Sequence, residues 1–287
     1  MGDSPHNFWP APAKLNLFLH VTGQRPDGYH ELQTLFQLLD WGDELSIEPL
    51  DKPGVSRPRA SYGVNEADDL AVRAALILQA ETSCRQGARI EVNKRIPAGA
   101  GLGGGSSDAA TVLVVLNRLW ECGLNVDELA SIGVRLGADV PVFIRGYSAL
   151  ASGVGDELEP VALGERNYLL VFPGFSVSTA EVFSDAVLPR NSSRISLSEA
   201  LAGTGRNDCE VVIKERFPIL SRMLKELSQW GPARMTGTGS TLFISMPDEI
   251  SANSAAQEIK CRYNVRAVRG LDRSPLHELL DSSGVGG

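Results

Sequence analysis

Between Pro97 and Asp108 the chain reads PAGAGLGGGSSD, with five glycines in the seven positions from Gly99 to Gly105. Glycine takes positive φ and lets a ligand come close to the main chain, so successive N–H groups can converge on the oxygens of an anion. The apolar run Ala109 to Trp120 follows without a break and predicts a helix. The first-turn N–H groups of a helix have no intrahelical partners, and its dipole favours negative charge at that end. Ser106 or Ser107 can cap this helix or donate to a phosphate. Val112, Leu113, Val114, Val115, Leu116 and Leu119 leave it little polar face, so it is expected to be buried and to hold the loop rigidly. Pro97, Ala98, Gly99, Ala100, Gly101, Leu102, Gly103, Gly104, Gly105, Ser106 and Ser107 thus form a candidate phosphate cradle, a plain turn being the other reading.

The loop is not a Walker A motif, which would place Lys-Ser or Lys-Thr after its last glycine. Gly99, Gly101 and Gly104 satisfy G-x-G-x-x-G, but a dinucleotide fold needs a strand directly before the glycines and another after the helix. Here Pro97 separates the candidate strand Ala88 to Asn93 from the loop, and the sequence after Trp120 reads as a further helix. That context favours a nucleoside triphosphate over NAD. Lys94 and Arg95, at the end of the strand, are either donors to that anion or solvated surface cations.

The elements that must position this loop are legible in outline. At 287 residues the chain is long enough for two packed domains, and 43% hydrophobic with 22% charged residues is ordinary for a globular protein. A net charge of −8 speaks against a nucleic-acid role through a broad basic surface. Cys84, Cys122, Cys209 and Cys261 form no C-x-x-C pair, so neither a zinc site nor a disulfide framework is indicated. No apolar run has the length of a signal or membrane span, and the expected location is the cytoplasm. The tail Asp281 to Gly287 is expected to be disordered.

Ala13 to Val21 alternates with period two and predicts a strand burying Leu15, Leu17, Leu19 and Val21. Lys14, Asn16, Phe18 and His20 would share the other face, with Lys14 and Asn16 roughly 6.5 Å apart, on an edge that is either solvated or functional. Pro26-Asp27-Gly28 is a turn, and Tyr29 and His30 after it could stack on and hydrogen-bond a base, or merely pack the turn. Strands are expected over 32–39 and 44–48 around a turn at Asp40-Trp41-Gly42-Asp43, and a helix over 68–81. Asn125 and Glu128 predict a capping box for a helix ending near Gly137. Asp139, in the apolar company of Val140, Pro141, Val142 and Phe143, must be paired, or cap the next turn. A hairpin is expected around Gly153-Val154-Gly155. Beyond it are strand 168–172, helix 179–185, helix 208–230 broken near Pro218, strands 233–236 and 242–245, helix 250–262 and strand 265–268. Interleaved strands and helices of this kind predict an α+β sandwich. Thr236-Gly237-Thr238-Gly239-Ser240 is a second glycine-rich loop that could close over phosphates from the opposite side.

Taken together, Pro12-Ala13-Lys14-Leu15-Asn16-Leu17, Arg25-Pro26-Asp27-Gly28-Tyr29-His30, Pro97 through Ala110 and Leu136-Gly137-Ala138-Asp139-Val140-Pro141 resemble the motifs of the GHMP kinases. Gly237-Thr238-Gly239-Ser240 is similar to that family's third glycine loop, and the likeness runs from about residue 10 to about residue 277. The resemblance implies a two-domain α+β fold: a ribosomal-protein-S5-like domain over 1–155 with the ATP loop and catalytic residues, and a ferredoxin-like domain over 156–287 completing the cleft. It implies that Pro97 to Ser107, with Lys94, bind ATP, that Asp139 is the catalytic base, and that Lys14 is its partner. It further implies that Asn16, Tyr29, His30 and Phe183 bind a cytidine diphosphate group, Tyr29 and Phe183 stacking on either side of the base and His30 hydrogen-bonding its edge. Gly237, Thr238 and Gly239 would complete the substrate site.

The implied acceptor is the 2-hydroxyl of a cytidine-diphosphate-linked methylerythritol in the non-mevalonate isoprenoid route, with Mg²⁺ as the companion of ATP and no dedicated metal site. The protein would be a monomer or a homodimer. The chemistry is consistent: phosphoryl transfer needs positioning and charge stabilisation more than covalent help, and a lysine within about 4 Å of an aspartate favours the carboxylate. Other readings are a kinase for a different small alcohol such as mevalonate or homoserine, a nucleotide-binding redox protein, and a silent nucleotide sensor. Asp108, beside the cradle, could cap the helix, face away or reach Mg²⁺ through water. Asp69, before Leu70, stands where the resemblance leads one to expect asparagine near the adenine pocket.

Overall fold

The computed structural model describes residues 8–58 and 63–282. The strands are β1 (Phe8–Gln24), β2 (His30–Leu50), β3 (Val55–Ser56), β4 (Gly87–Asn93), β5 (Ala149–Ser152), β6 (Glu157–Pro160), β7 (Arg166–Phe172), β8 (Ala233–Met235), β9 (Leu242–Met246) and β10 (Asn264–Leu271). The helices are α1 (Leu70–Thr82), α2 (Gly104–Leu119), α3 (Val126–Val134), α4 (Val140–Arg145), α5 (Thr179–Ser184), α6 (Leu197–Leu201), α7 (Cys209–Arg216), α8 (Ile219–Leu227), α9 (Glu249–Ile259) and α10 (Pro275–Ser282). Asp281 and Ser282, expected in a disordered tail, are helical, and residues 283–287 lie outside the described residues.

The strands form one continuous sheet whose main path is β3-β4-β2-β10-β7-β9-β8, with β1 and β5 also paired to β2 and β6 paired to β5. β2 organises it. The turn expected at Asp40-Trp41-Gly42-Asp43 is absent, because β1 pairs with β2 on both sides of it, Pro12 opposite Gly42 and Lys14 opposite Leu38. A chain already hydrogen-bonded to one partner on either side of a bulge bends there rather than reversing. Gly42 is required at that bend, since a Cβ would run into the Ala11 carbonyl and come within 2.6 Å of the Pro12 Cα.

A second bulge corrects the reading of β1. Asn16 pairs with Phe36 but Leu19 pairs with Thr34, so β1 holds one residue more than β2 between them. An extra residue reverses which face later side chains take. Lys14, Asn16 and Leu19 therefore share the face toward the cleft described below, whereas Phe18 joins Leu35 in a separate buried cluster and His20 packs edge-on against Phe18. Neither face is solvated: Lys14, Asn16, Phe18 and His20 are all buried.

The largest core packs α1, α2, α3 and α4 against β2 and β4. Val112, Leu113, Val115 and Leu116 of α2 are fully buried, each such side chain worth about 1.5–3 kcal/mol of transfer free energy. The Asn125–Glu128 capping box is present, but α3 stops at Val134, and Gly137 closes a following turn onto the Gly133 carbonyl. From β7 onward the order is strand, helices α5 to α8, strands β8 and β9, helix α9 and strand β10, with the strands in the antiparallel order β10-β7-β9-β8. This is the β-α-β-β-α-β arrangement of a ferredoxin-like sheet. A third cluster joins the two halves, with Ala13, Leu15 and Leu39 meeting Tyr168, Leu170 and Val268. Gly153 to Gly155 turn between β5 and β6, and after β10 the chain crosses back, Leu276 of α10 entering the first core.

Candidate active site

A cleft of about 1510 Å³ lies between the glycine loop, the β1–β2 hairpin and the segment around α5. Lys14, Asn16, Tyr29, His30, Lys94, Pro97 through Ser106, Asp139, Phe183, Gly237 and Thr238 all line it. Ser107 and Gly239 do not.

The alternation of small and apolar residues in the loop explains how it is held. Ile96, Ala100 and Leu102 are buried in the junction cluster and act as anchors, leaving the intervening glycine backbone to the cleft. Gly101 has φ +75°, and a Cβ on it would strike the carbonyl oxygens of Thr236 and Gly239. Gly103 has φ +73° and is the N-cap of α2; a Cβ there would come within 2.9 Å of the Phe143 ring and 3.1 Å of the Lys14 side chain. Ser106 and Ser107 therefore do not cap the helix but lie in its first turn, where the Ser107 hydroxyl is buried with no hydrogen-bond partner among the described residues. Backbone bonds tie the loop to its surroundings, Lys14 N–H to the Leu102 carbonyl at 3.1 Å and Thr241 N–H to the Ala100 carbonyl at 3.2 Å. The second glycine loop packs directly on the first, and does not stand across the cleft from it.

Lys14 reaches the floor of the cleft, its side chain 2% exposed, with Nζ 3.2 Å from Oδ2 of the 34%-exposed Asp139. It also donates to Asn16 Oδ1 and to the Gly101 carbonyl at 3.3 Å, and lies 5.3 Å from the centre of the Phe36 ring. Asn16 is thereby engaged on both ends of its amide, its Nδ2 donating to Thr34 Oγ1 at 2.9 Å. Asp139 occupies the N-cap position of α4 yet makes no side-chain cap hydrogen bond. The capping role open to it in the sequence is not the one it takes. A carboxylate beside a buried ammonium, one-third open to the cleft, can accept a proton from a hydroxyl placed there.

At the other end, the Pro26-Asp27-Gly28 turn is closed by Asp27 Oδ1, which accepts from Tyr29 N–H at 3.0 Å, and leaves Tyr29 65% exposed. His30 packs on Phe183 with ring centroids 5.2 Å apart and an interplanar angle of 32°. Arg190, which nothing in the sequence singles out, donates from Nε to His30 Nε2 at 3.1 Å. Burial, and then Arg190, hold His30 below the usual histidine range.

Lys94 is not an open donor. It bridges Asp43 at 2.5 Å and Asp108 at 2.8 Å. Asp43, read as a turn residue, accepts from the backbone N–H groups of Arg95 and Ile96 and so fixes the approach to the glycine loop. Burial chiefly, opposed by Lys94 and reinforced by Asp43, pushes Asp108 up to about 7. Lys94 is disfavoured by burial, but the two carboxylates outweigh this and raise it. Arg95 pairs with Glu44. Asp69 caps α1, accepting from Ala71 N–H at 2.9 Å, and pairs with the buried Arg57 at 3.1 Å. No cluster of three or more histidine, cysteine, aspartate or glutamate side chains fit to hold a metal occurs among the described residues, and no helix of the described residues is long and apolar enough to cross a membrane.

Residues 69–147 match the model of the GHMP kinases N terminal domain, and residues 188–265 that of the GHMP kinases C terminal region. The chain belongs to the GHMP kinases, and its fold is the two-domain α+β fold of that family. It is 52% identical over 275 residues, 95% of its length and 96% of the relative's, to the 4-diphosphocytidyl-2-C-methyl-D-erythritol kinase of Halorhodospira halophila (strain DSM 244 / SL1). A crystal structure of a 4-(cytidine 5'-diphospho)-2C-methyl-D-erythritol kinase superposes with a TM-score of 0.79 at 36% identity, over 92% of this chain and 99% of that one. The mevalonate kinase of Methanococcus jannaschii shares the fold, with a TM-score of 0.69 at 15% identity over 94% of this chain and 100% of that one. The redox reading also fails on topology, since α2 leads into α3 and α4 and not into a strand.

Proposed function

We propose that the chain transfers the γ-phosphoryl group of ATP to the 2-hydroxyl of 4-diphosphocytidyl-2-C-methyl-D-erythritol, in the non-mevalonate route to isoprenoid precursors. The observation that carries this is the Lys14–Asp139 pair, 3.2 Å apart on the floor of a cleft with a glycine cradle at one end and the Tyr29, His30 and Phe183 rings at the other. The 52%-identical relative and the 36%-identical structure are both named as kinases of this compound.

The chemistry follows from the placement. Asp139 accepts the proton as the hydroxyl oxygen attacks the γ-phosphorus; the bond from that phosphorus to the β–γ bridging oxygen breaks, and ADP leaves. Lys14 holds the carboxylate in place through their ion pair and lies where its ammonium can offset charge on the transferred group. The cradle N–H groups and the N-terminus of the sixteen-residue α2 hold the other phosphates. Tyr29 and Phe183 enclose the cytosine, with His30 on its edge, and Asn16 acts by steering Lys14 as much as by touching substrate. Mg²⁺ would arrive with ATP and supply charge neutralisation. Near the cradle, the hydroxyls of Ser107 and Thr241 and Asp108 Oδ1 are buried oxygens with no hydrogen-bond partner among the described residues, a set that fits a metal keeping phosphate and water ligands better than an all-protein cage. We assign the cradle and catalytic pair to residues 1–155 and the far wall of the cleft to residues 156–287, in a cytoplasmic enzyme.

Following ADP release with Mg²⁺-ATP and, in turn, the cytidylyl methylerythritol, mevalonate and homoserine tests the assignment. Turnover with the first alone is the expected result; turnover only with another alcohol would discard the substrate and keep the kinase.

A further inference from the structure

Arg190 makes four hydrogen bonds from one guanidinium. Nη1 donates to the Leu188 carbonyl at 3.0 Å, and Nη2 donates to the carbonyls of Phe183 at 3.1 Å and Asp185 at 2.7 Å. The fourth runs from Nε to His30 Nε2 at 3.1 Å. The planar fork is thus locked by the C-terminal end of α5 and the segment that follows it, and α5 carries Phe183, the ring packed on His30. A guanidinium is always protonated and can only donate. The imidazole nitrogen it meets must therefore be the acceptor, and the ring's one proton must sit on the other nitrogen.

We infer that Arg190 is a specificity-determining positioning residue, which fixes His30 as the Nδ1–H tautomer so that the cleft presents a pure donor to the edge of a pyrimidine. The inference rests on the cytidylyl reading given above. Cytosine carries an unprotonated acceptor at N3, whereas uracil carries N–H there. A fixed donor at that place makes a hydrogen bond with cytosine and sets donor against donor with uracil, a mismatch that leaves a desolvated N–H unpaired. A free imidazole would lack this discrimination, because it can move its proton and accept from uracil instead. The neighbouring positive charge also opposes protonation of the ring, in line with burial, which acts the same way. Phe183 and His30 are set by the same fork, so stacking and edge reading are aligned by one side chain.

Two measurements on the intact chain test this. Long-range ¹H–¹⁵N correlation of the imidazole rings, with the His30 signals identified by their loss in H30Q, should show an unprotonated Nε2 and a protonated Nδ1 without any ligand. Arg190→Met should return the ring to the tautomer mixture of a free imidazole, and Arg190→Lys, which restores a donor, should return it toward the wild-type pattern. Calorimetric titration with cytidine 5'-diphosphate and uridine 5'-diphosphate should give a preference for cytidine of about tenfold or more in the wild type, falling to within about threefold in R190M and recovering in R190K. A protonated Nε2 in the wild type, or an unchanged preference in R190M, overturns the inference and leaves the cytidylyl reading standing. Equal binding of both nucleotides by the wild type overturns the cytidylyl reading and the inference with it.

Discussion

Replacing Asp139 by asparagine separates chemistry from architecture. The change is isosteric, and the new amide oxygen can still accept from Lys14, whose Asn16 and Gly101 acceptors are untouched. What is lost is a charge that is one-third exposed, beside an ammonium that is not. Removing part of a charge-assisted bond in such a setting costs about 1–2 kcal/mol. The unfolding entropy of a 287-residue chain is about 0.6 kcal/mol/K, so Tm should fall by only about 2–3 °C. The rate should suffer far more, because an amide cannot take the hydroxyl proton: the loss of a general base is worth about 10²–10⁴ in kcat, or about 3–5 kcal/mol of barrier. ATP affinity should stay within about threefold of the wild type, since the cradle lies on another element. Single-turnover ADP release, equilibrium ATP binding and a thermal melt on one preparation provide all three numbers. A kcat above a tenth of wild type in the folded variant would refute the role of Asp139, and a loss of ATP binding in step with kcat would make its role architectural.

Gly101→Ala forces a left-handed backbone on a residue with a Cβ and drives that Cβ against two carbonyls of the other glycine loop, so KM for ATP should rise by about tenfold or more; an unchanged KM would mean that the cradle does not hold the phosphates. Tyr29→Ala, at an exposed position, should leave Tm and KM for ATP unaltered while raising KM for the cytidylyl substrate by about 5–150-fold, the worth of one stacked base. Asp108 is raised to about 7, above its ordinary value, by burial first. A folded-state value above the unfolded one contributes stability that is fully present below about pH 4 and lost as pH rises through about 7. Asp108→Asn should accordingly come nearest to wild type in Tm at about pH 4 and exceed it by a margin that grows toward pH 8, and parallel pH profiles of the two proteins would contradict this.

Local rules were enough wherever a feature depends on neighbours in the chain. The glycine spacing before a buried helix, the Pro26-Asp27-Gly28 turn, the Asn125 capping box and the interleaving of strands and helices after β6 all follow from residues a few positions apart, and so could be read directly. Motif content likewise pointed to the family. What the sequence could not supply is pairing across distance. The bulge between Asn16 and Leu19 is set by register against β2, and it moved Phe18 and His20 off the face of Lys14 although their alternation is unbroken in the sequence. The apparent turn at Asp40 to Asp43 gave way to a continuous strand because β1 pairs on both sides of it, and this placed Asp43 under the glycine loop and on Lys94. Lys14 and Asp139 stand 125 positions apart, and Arg190 and His30 are 160 apart. Their meeting depends on where whole elements pack, which period and propensity do not encode. The sequence by itself determined which groups are present; the tertiary structure decided which of them face one another, because burial and pairing act through space.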